Sequence, residues 1–352
     1  MTSKYLSILM AFSFLIIPAF GKSVEIMSFN VENLFDTSHD QGHADYEYLP
    51  FGHPAKNKGC AEIENDYFRG KCFKTDWNDS VLRNKLKAVT EVVFRGGRQS
   101  PDILGLVEVE NAAVANMLAD RLGYTKVLVT RGDDKRGINV ALLVRESSDL
   151  KYLAHKEIKV STPEMRKPTR NVLHVKFLLN GKKDLNVFVN HWPSQSNPSR
   201  DREVVAKKLL ECIDDLRDQK SGQYIVVLGD FNVIPADDPN AITDVLLREE
   251  TNLIDVEQRY RQSSEDRLHS KPLSSYYYKR GNNWNHLDRI IVSRNLFDDK
   301  NEDVDLSSFE IFAHPKYSKV VNNLRIPLRF EIKNGKTSGV SDHYPVSVKI
   351  SL

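Results

Sequence analysis

The chain of 352 residues lacks the features that would place it at a glance. Its three cysteines, 14 prolines and 17 glycines exclude a disulfide-dense framework and a low-complexity chain. After residue 21 no apolar run approaches the length needed to cross a bilayer. Net charge is only +2, so recognition of a polyanion would have to rest on a local patch or a metal. No internal repeat and no linker-like break in composition is visible, and residues 22–352 are therefore expected to form one domain.

What is present begins at the N-terminus. Lys4, the apolar run Tyr5–Ile17, Pro18, and the small residues Ala19 and Gly21 ahead of Lys22 have the pattern of a secretory signal peptide over residues 1–21. An uncleaved anchor is the alternative, and the shortness of the run argues against it. The expected destination is the periplasm or the exterior, as a monomer without stable membrane insertion. In that oxidising setting Cys60 and Cys72 are expected to pair. Cys212 lies on the apolar face of a helical pattern with Val205, Leu209 and Leu216, as a buried free thiol would.

Periodicity supplies the elements. "VEIMSFNVENLF" starts as a strand and runs into a polar turn. A polar insertion follows, over about 37–78, and reads as a large loop held by the Cys60–Cys72 bridge. Within it Asp36, Ser38, Asp40 and Glu47 approach calcium-loop spacing, but Gly42 falls one place late, and a solvated acidic loop is the better expectation. Helices are expected from about Asp79, over 112–122 with Gly123 as the stop, from Ser199 to Leu216, and near Ala241–Leu247. Strands are expected at "DILGLV", "VLVT", "INVALLVR", "VLHVKFLL", "LNVFVNHW", "YIVVLGD", "LDRIIVS", "FEIFA" and "PVSVKIS".

Polar side chains gather where these strands end or begin: Asn30, Glu108, His191, Asp230 with Asn232, Asp288, and Asp342 with His343. Strand ends project into a shared cleft, so these acids, amides and imidazoles can converge. Metal-assisted phosphoester hydrolysis needs this inventory: hard carboxylates for a cation, a base for water, donors for phosphate oxygens and an acid for the leaving group.

In order along the chain, "SFNVENLF", "DILGLVEVEN", "VNHWPS", "LGDFN", "LDRIIVS" and "SDHYPV" resemble the motifs of the endonuclease/exonuclease/phosphatase superfamily, the deoxyribonuclease I-like proteins. The resemblance implies an α/β four-layer sandwich: two packed, mostly antiparallel sheets with helices on both outer faces. It implies Mg²⁺ or Mn²⁺, with Ca²⁺ as a further candidate, held by Glu108, Asn30 and Asp342. It implies that His343 is the base, oriented by Asp288, and that Asp230 and Asn232 handle the nucleophile or leaving group. His191 matches a second histidine, a general acid or phosphate donor. The glutamate that holds it in that branch is replaced here, where Ile138 and Asn139 stand instead.

Substrate contacts are expected from Asn232, Arg200, Tyr278 and Arg280. Tyr276–Tyr278, Lys279, Arg280 and Trp284 suit base stacking or core packing alike, and Arg200 with Arg202 suit either a phosphate path or a solvated helix start. Trp192 is expected in the core. The resemblance implies an exported phosphodiesterase, with a nuclease acting on DNA or RNA, an endonuclease first, as the leading expectation. A phospholipid phosphodiesterase of the sphingomyelinase kind is the alternative, which needs exposed apolar residues at the cleft rim. A binding protein that kept the fold and lost the chemistry would show gaps in the constellation, and the core set has none.

Overall fold

A computed structural model describes residues 22–299 and 302–352; the expected signal peptide lies outside the described residues. Two six-stranded sheets face each other. The first runs in the spatial order Asp303–Ile311, Val346–Ser351, Ser23–Leu34, Ile103–Val109, Asn139–Val144, Lys126–Val129. The second runs Leu150–Ile158, Val172–Leu179, Lys183–His191, Tyr224–Asp230, Asp288–Ser293, Leu253–Asp255.

Each sheet has one parallel pair at its centre, and each pair is joined by a helical crossover, as parallel strands require. In the first sheet Asp79–Val93 connects Ser23–Leu34 to Ile103–Val109; in the second Ser199–Gln219 connects Lys183–His191 to Tyr224–Asp230. Alternate residues of both sheets, such as Val107, Val187, Val226 and Val348, fill the layer between them. Leu86, Val89 and Leu118 seal the first sheet's outer face, and Val205, Leu209 and Ile213 seal that of the second. The result is the expected helix–sheet–sheet–helix sandwich.

The caps explain the helix limits. Asn78 accepts from the Ser80 and Val81 amides, Asn111 from Val114, and Gly123 closes Ala112–Leu122 in the left-handed region at φ +75°. Near Ala241–Leu247 the turn Ile242–Leu246 is a π-helix.

The insertion departs from the expected loop. It folds into two short helices, Lys56–Ala61 and Asp66–Lys74, joined by the Cys60–Cys72 disulfide with Cα atoms 5.6 Å apart. The Lys56 ammonium, 1 % exposed, donates to the carbonyls of Tyr46, Glu47 and Leu49 and takes the place of a hydrophobic centre. The acids of its first stretch are bonded rather than solvated: Asn111 Nδ2 donates to Asp36 and Asp40 at 3.1 Å each, and the Asp40 amide donates to Asp45. Burial, then Asp36, pushes the neighbouring Glu110 carboxyl up to about 9. The insertion also shows Phe51, Tyr67, Phe68 and Phe73 to solvent, which its polar composition hid. Cys212 is free and half-buried rather than buried, and its burial raises the thiol, which rules against a nucleophile.

Candidate active site

Strand register assembles the site. His191 pairs with Asp230 and Asp230 pairs with Asp288, so three adjacent strands of the second sheet present these side chains in one row. Gly229 makes the row possible. At φ +131° it lets the Asn190 carbonyl approach, and a Cβ there would sit 2.0 Å from that oxygen.

The first sheet contributes from its parallel pair. Asn30 pairs with Val107, and the register then slips. At that irregularity Glu108 takes φ +67°, a conformation uncommon for a side chain this long. Its carboxylate accepts the Asn33 amide at 2.9 Å and lies 3.5 Å from Asn30 Nδ2, which also donates to Asp230 at 3.0 Å. Asn30 thereby bridges the two sheets.

The closing loop completes the ring. Ser341 Oγ donates to the Asn30 carbonyl at 2.7 Å and accepts the His343 amide at 3.0 Å, pinning the Ser341–His343 turn onto the opening strand. His343 Nδ1 lies 2.6 Å from Asp288 Oδ2, which also accepts from Ser275 Oγ; Asp288 Oδ1 is buried with no partner. His343 Nε2 is 3.9 Å from Asp230 Oδ2 and from Asp342 Oδ1. His191 Nε2 is 3.9 Å from the same Asp230 oxygen and 4.0 Å from Glu108. One carboxylate oxygen thus lies between two imidazoles, and Glu108, Asp230, Asp288 and His343 line one cleft.

Electrostatics separate the two histidines. Burial opposes charge on both. At His343 the Asp288 carboxylate and its hydrogen bond, then Asp230 and Asp342, outweigh burial and hold the imidazole well above its ordinary value. At His191 no such bond forms, Nδ1 is buried without a partner, and burial with Arg170 and Arg136 nearby holds it well below. These surroundings favour the neutral imidazole at His191, which fits a hydrogen-bond donor. Asn139, at the position of the missing glutamate, spends its amide on the Glu110 and Gly137 carbonyls, and Ile138 packs with Phe35 and Trp77. Burial, countered in part by His343, pushes Asp230 up to about 7.

Several participants were missed in the sequence. Glu32, at φ +52°, sits beside Asp342 and Glu108; burial, then Asp342, pushes it up to about 8. Arg329 reaches in from a distant segment, ion-paired to Glu32 and, at 3.0 Å, to Asp342. Lys85, fully buried, donates to the Glu32 and Val340 carbonyls and couples the helix Asp79–Val93 to both loops. Tyr276 packs its ring at a tilt against His343, with ring centroids 4.8 Å apart. A lysine on a helix face and an arginine 13 positions before Asp342 carry no local signal.

The substrate-contact expectations divide. Tyr277 and Trp192 are core; Tyr278 is 41 % exposed, and Arg280 is exposed beside it. Arg200 is exposed and makes no hydrogen bond or ion pair among the described residues, and nothing ties it to the cluster. Arg202 is a structural clamp, buried on Asp237 and the carbonyls of Pro193, Ser194 and Asn197. The Asn232 backbone amide donates to Asp230, while one hydrogen of its side-chain amide goes to the Trp192 carbonyl.

The oxygens of Asn30, Glu108 and Asp342 suit a hard divalent cation, with Asp230 beside them and Arg329 paired to Asp342 and Glu32. Ligand atoms of Asp230, Asp288 and His343 lie within 4.8 Å of one another, but the His343–Asp288 bond occupies one nitrogen and one oxygen of that group. Carboxylates gathered beside a carboxylate-held imidazole on an α/β sandwich fit the class of metal-dependent phosphoesterases.

The sequence matches the model of the endonuclease/exonuclease/phosphatase family over residues 61–352, and the chain belongs to that family. None of the curated proteins matches it. Solved structures share the fold at low identity. An endonuclease/exonuclease/phosphatase family protein from Bacteroides thetaiotaomicron is 13 % identical with a TM-score of 0.57, covering 94 % of this chain and 98 % of its own. The human Nocturnin catalytic domain with bound sulfate is 16 % identical at 0.54, covering 94 % and 93 %. A mannosyl-6-phosphatase from B. thetaiotaomicron is 13 % identical at 0.54, covering 94 % and 100 %.

Proposed function

We propose that this chain is an exported, divalent-metal-dependent phosphodiesterase that hydrolyses nucleic acid, with endonuclease action first. The observation that carries the reading is the His343–Asp288 pair at 2.6 Å, with Nε2 turned to Asp230 and Asp342 in the cleft that Glu108 shares. Glu108, Asn30 and Asp342 would hold Mg²⁺ or Mn²⁺, with Ca²⁺ a further candidate. When bound, the cation would supply charge neutralisation at the phosphate and at the leaving oxygen, which takes its proton from solvent as the P–O bond breaks.

The chain's own groups do the rest. His343 Nε2 takes the proton of the attacking water, and Asp288 stabilises the imidazolium that results. Asp230 orients the water, with its Oδ1 held by the Asn232 amide. Neutral His191 donates to a phosphate oxygen, assisted by the remaining Asn232 amide hydrogen. Tyr278 and Arg280 stand outward for contacts beyond the scissile phosphate; Arg200 is a peripheral candidate.

Purified protein with Mg²⁺ or Mn²⁺ is expected to nick circular duplex DNA or to cut single-stranded DNA or RNA, and to stop in excess chelator. A chelator-resistant rate removes the metal; turnover of sphingomyelin alone replaces nucleic acid with lipid. The exposed Phe51, Tyr67, Phe68 and Phe73 are the one observation that favours that second reading.

The pH profile tests the base. A base must be unprotonated, so the rising limb of kcat/KM against pH should lie above the ordinary histidine range, because Asp288 and Asp230 raise His343. In Asp288→Asn burial dominates, and the limb should move to lower pH while the rate falls about 10²-fold or more. The limb belongs to the coupled His343–Asp230 pair. Wild type and variant are compared with the metal saturating for each, so that a change in occupancy does not move the limb. A limb that stays in place rejects the pairing.

A further inference from the structure

Positive charge is concentrated in the small hairpins beside His343. Segments 276–285 and 315–338 hold eight Lys and Arg against one Glu, so these 34 residues carry +7 in a chain whose total is +2. The segments form three two-stranded hairpins: Tyr276–Tyr278 with Asn283–Asn285, Ser318–Val321 with Leu324–Pro327, and Glu331–Lys333 with Lys336–Ser338.

Contacts join this basic lobe to the catalytic turn. Tyr276 bridges His343, the Tyr344 amide donates to the Ser275 carbonyl, and Tyr344 Oη donates to Ser318 Oγ at 2.9 Å. Lys316, Lys333 and Arg329 have carboxylate partners. Lys279, Arg280, Lys319, Arg325 and Lys336 have no ion pair among the described residues. Burial lowers the Lys279 ammonium, and the like charges of Lys319 and Arg329 lower it further. Clustering unpaired cations next to a catalytic cleft costs stability unless an anion arrives to neutralise them.

Resting on the nuclease reading above, we infer that this lobe is a second phosphate-binding surface, which grips the backbone of a polynucleotide beside the scissile phosphate. Lys279 and Lys319 take phosphates, and Tyr278, outward-facing on the same hairpin as Lys279, offers a stacking surface for a base. The lobe therefore sets a preference for polymers over isolated phosphate esters.

The test uses the double variants Lys279→Glu/Lys319→Glu and Lys279→Gln/Lys319→Gln of the full mature chain, with Lys279 exposed and Lys319 half-buried. Hydrolysis of a single-stranded 20-mer should show KM raised about tenfold or more in the reversal variant. Hydrolysis of bis(p-nitrophenyl) phosphate should stay within twofold of wild type. In a His343→Ala background, anisotropy of the labelled 20-mer across salt should give a log–log slope shallower by roughly 1 to 2 in the glutamine variant. An unchanged KM and slope overturn the lobe and leave the nuclease reading standing. No binding of the 20-mer by the His343→Ala protein also overturns it, as does loss of binding to phosphatidylglycerol vesicles with 20-mer binding intact. If polymers are bound through the lobe but never cut, the lobe stands and the nuclease reading falls.

Discussion

Replacing His343 by alanine should lower kcat on a phosphodiester substrate by about 10³-fold, the loss expected when a positioned base is removed. The same substitution strips Asp288 of its partner at 2.6 Å in a position that is 0 % exposed, leaving Ser275 as its remaining side-chain donor. A buried carboxylate deprived of its cation costs about 3 kcal/mol, so the variant should also melt at a lower temperature. The two effects separate in the double variant His343→Ala/Asp288→Asn, which removes the stranded charge. That protein should recover most of the stability and none of the rate. Thermal melts with kinetics on all three proteins check this, and a His343→Ala enzyme within tenfold of wild type rejects the assigned base.

Glu108→Gln should be nearly as damaging for a different reason. The substitution keeps size and an oxygen that can accept the Asn33 amide, so the φ +67° conformation and the fold survive. What disappears is a negative charge at the proposed cation site. Hydrolysis should fall by about 10²–10³-fold at fixed Mn²⁺, in line with the several kcal/mol that such a cation supplies. Calorimetric titration with Mn²⁺ should show weaker binding without a change in melting temperature in chelator. Unaltered Mn²⁺ affinity would place the cation elsewhere, with the Asp230, Asp288 and His343 group next in line.

Legibility in the sequence followed exposure. Central strands buried on both faces, such as Val172–Leu179 and Tyr224–Asp230, were visible as apolar runs and kept their expected bounds. Leu150–Ile158 escaped notice because it is an edge strand whose central residues face solvent, so no alternation marks it. The insertion's helices escaped for a related reason: a disulfide and one buried ammonium hold them together, not an apolar stripe. Glu32, Lys85 and Arg329 were invisible because the contacts that place them, Lys85 to Glu32 and Val340 and Arg329 to Glu32, join residues 53, 255 and 297 positions apart.

By itself the sequence determined the class of chemistry and which polar side chains meet at one rim, since side chains at the ends of neighbouring strands project into a shared cleft. The layered fold followed from the family resemblance that its motifs carry, while periodicity by itself supplied the strands and the two amphipathic crossovers. Only the tertiary structure decided how those residues divide the work. Ionisation depends on burial and on charges a few ångströms away, and both are properties of packing. So two histidines of the same type become one held high by Asp288 and one kept neutral among arginines. For the same reason a nearly neutral chain acquires a basic face only when distant hairpins fold beside one cleft.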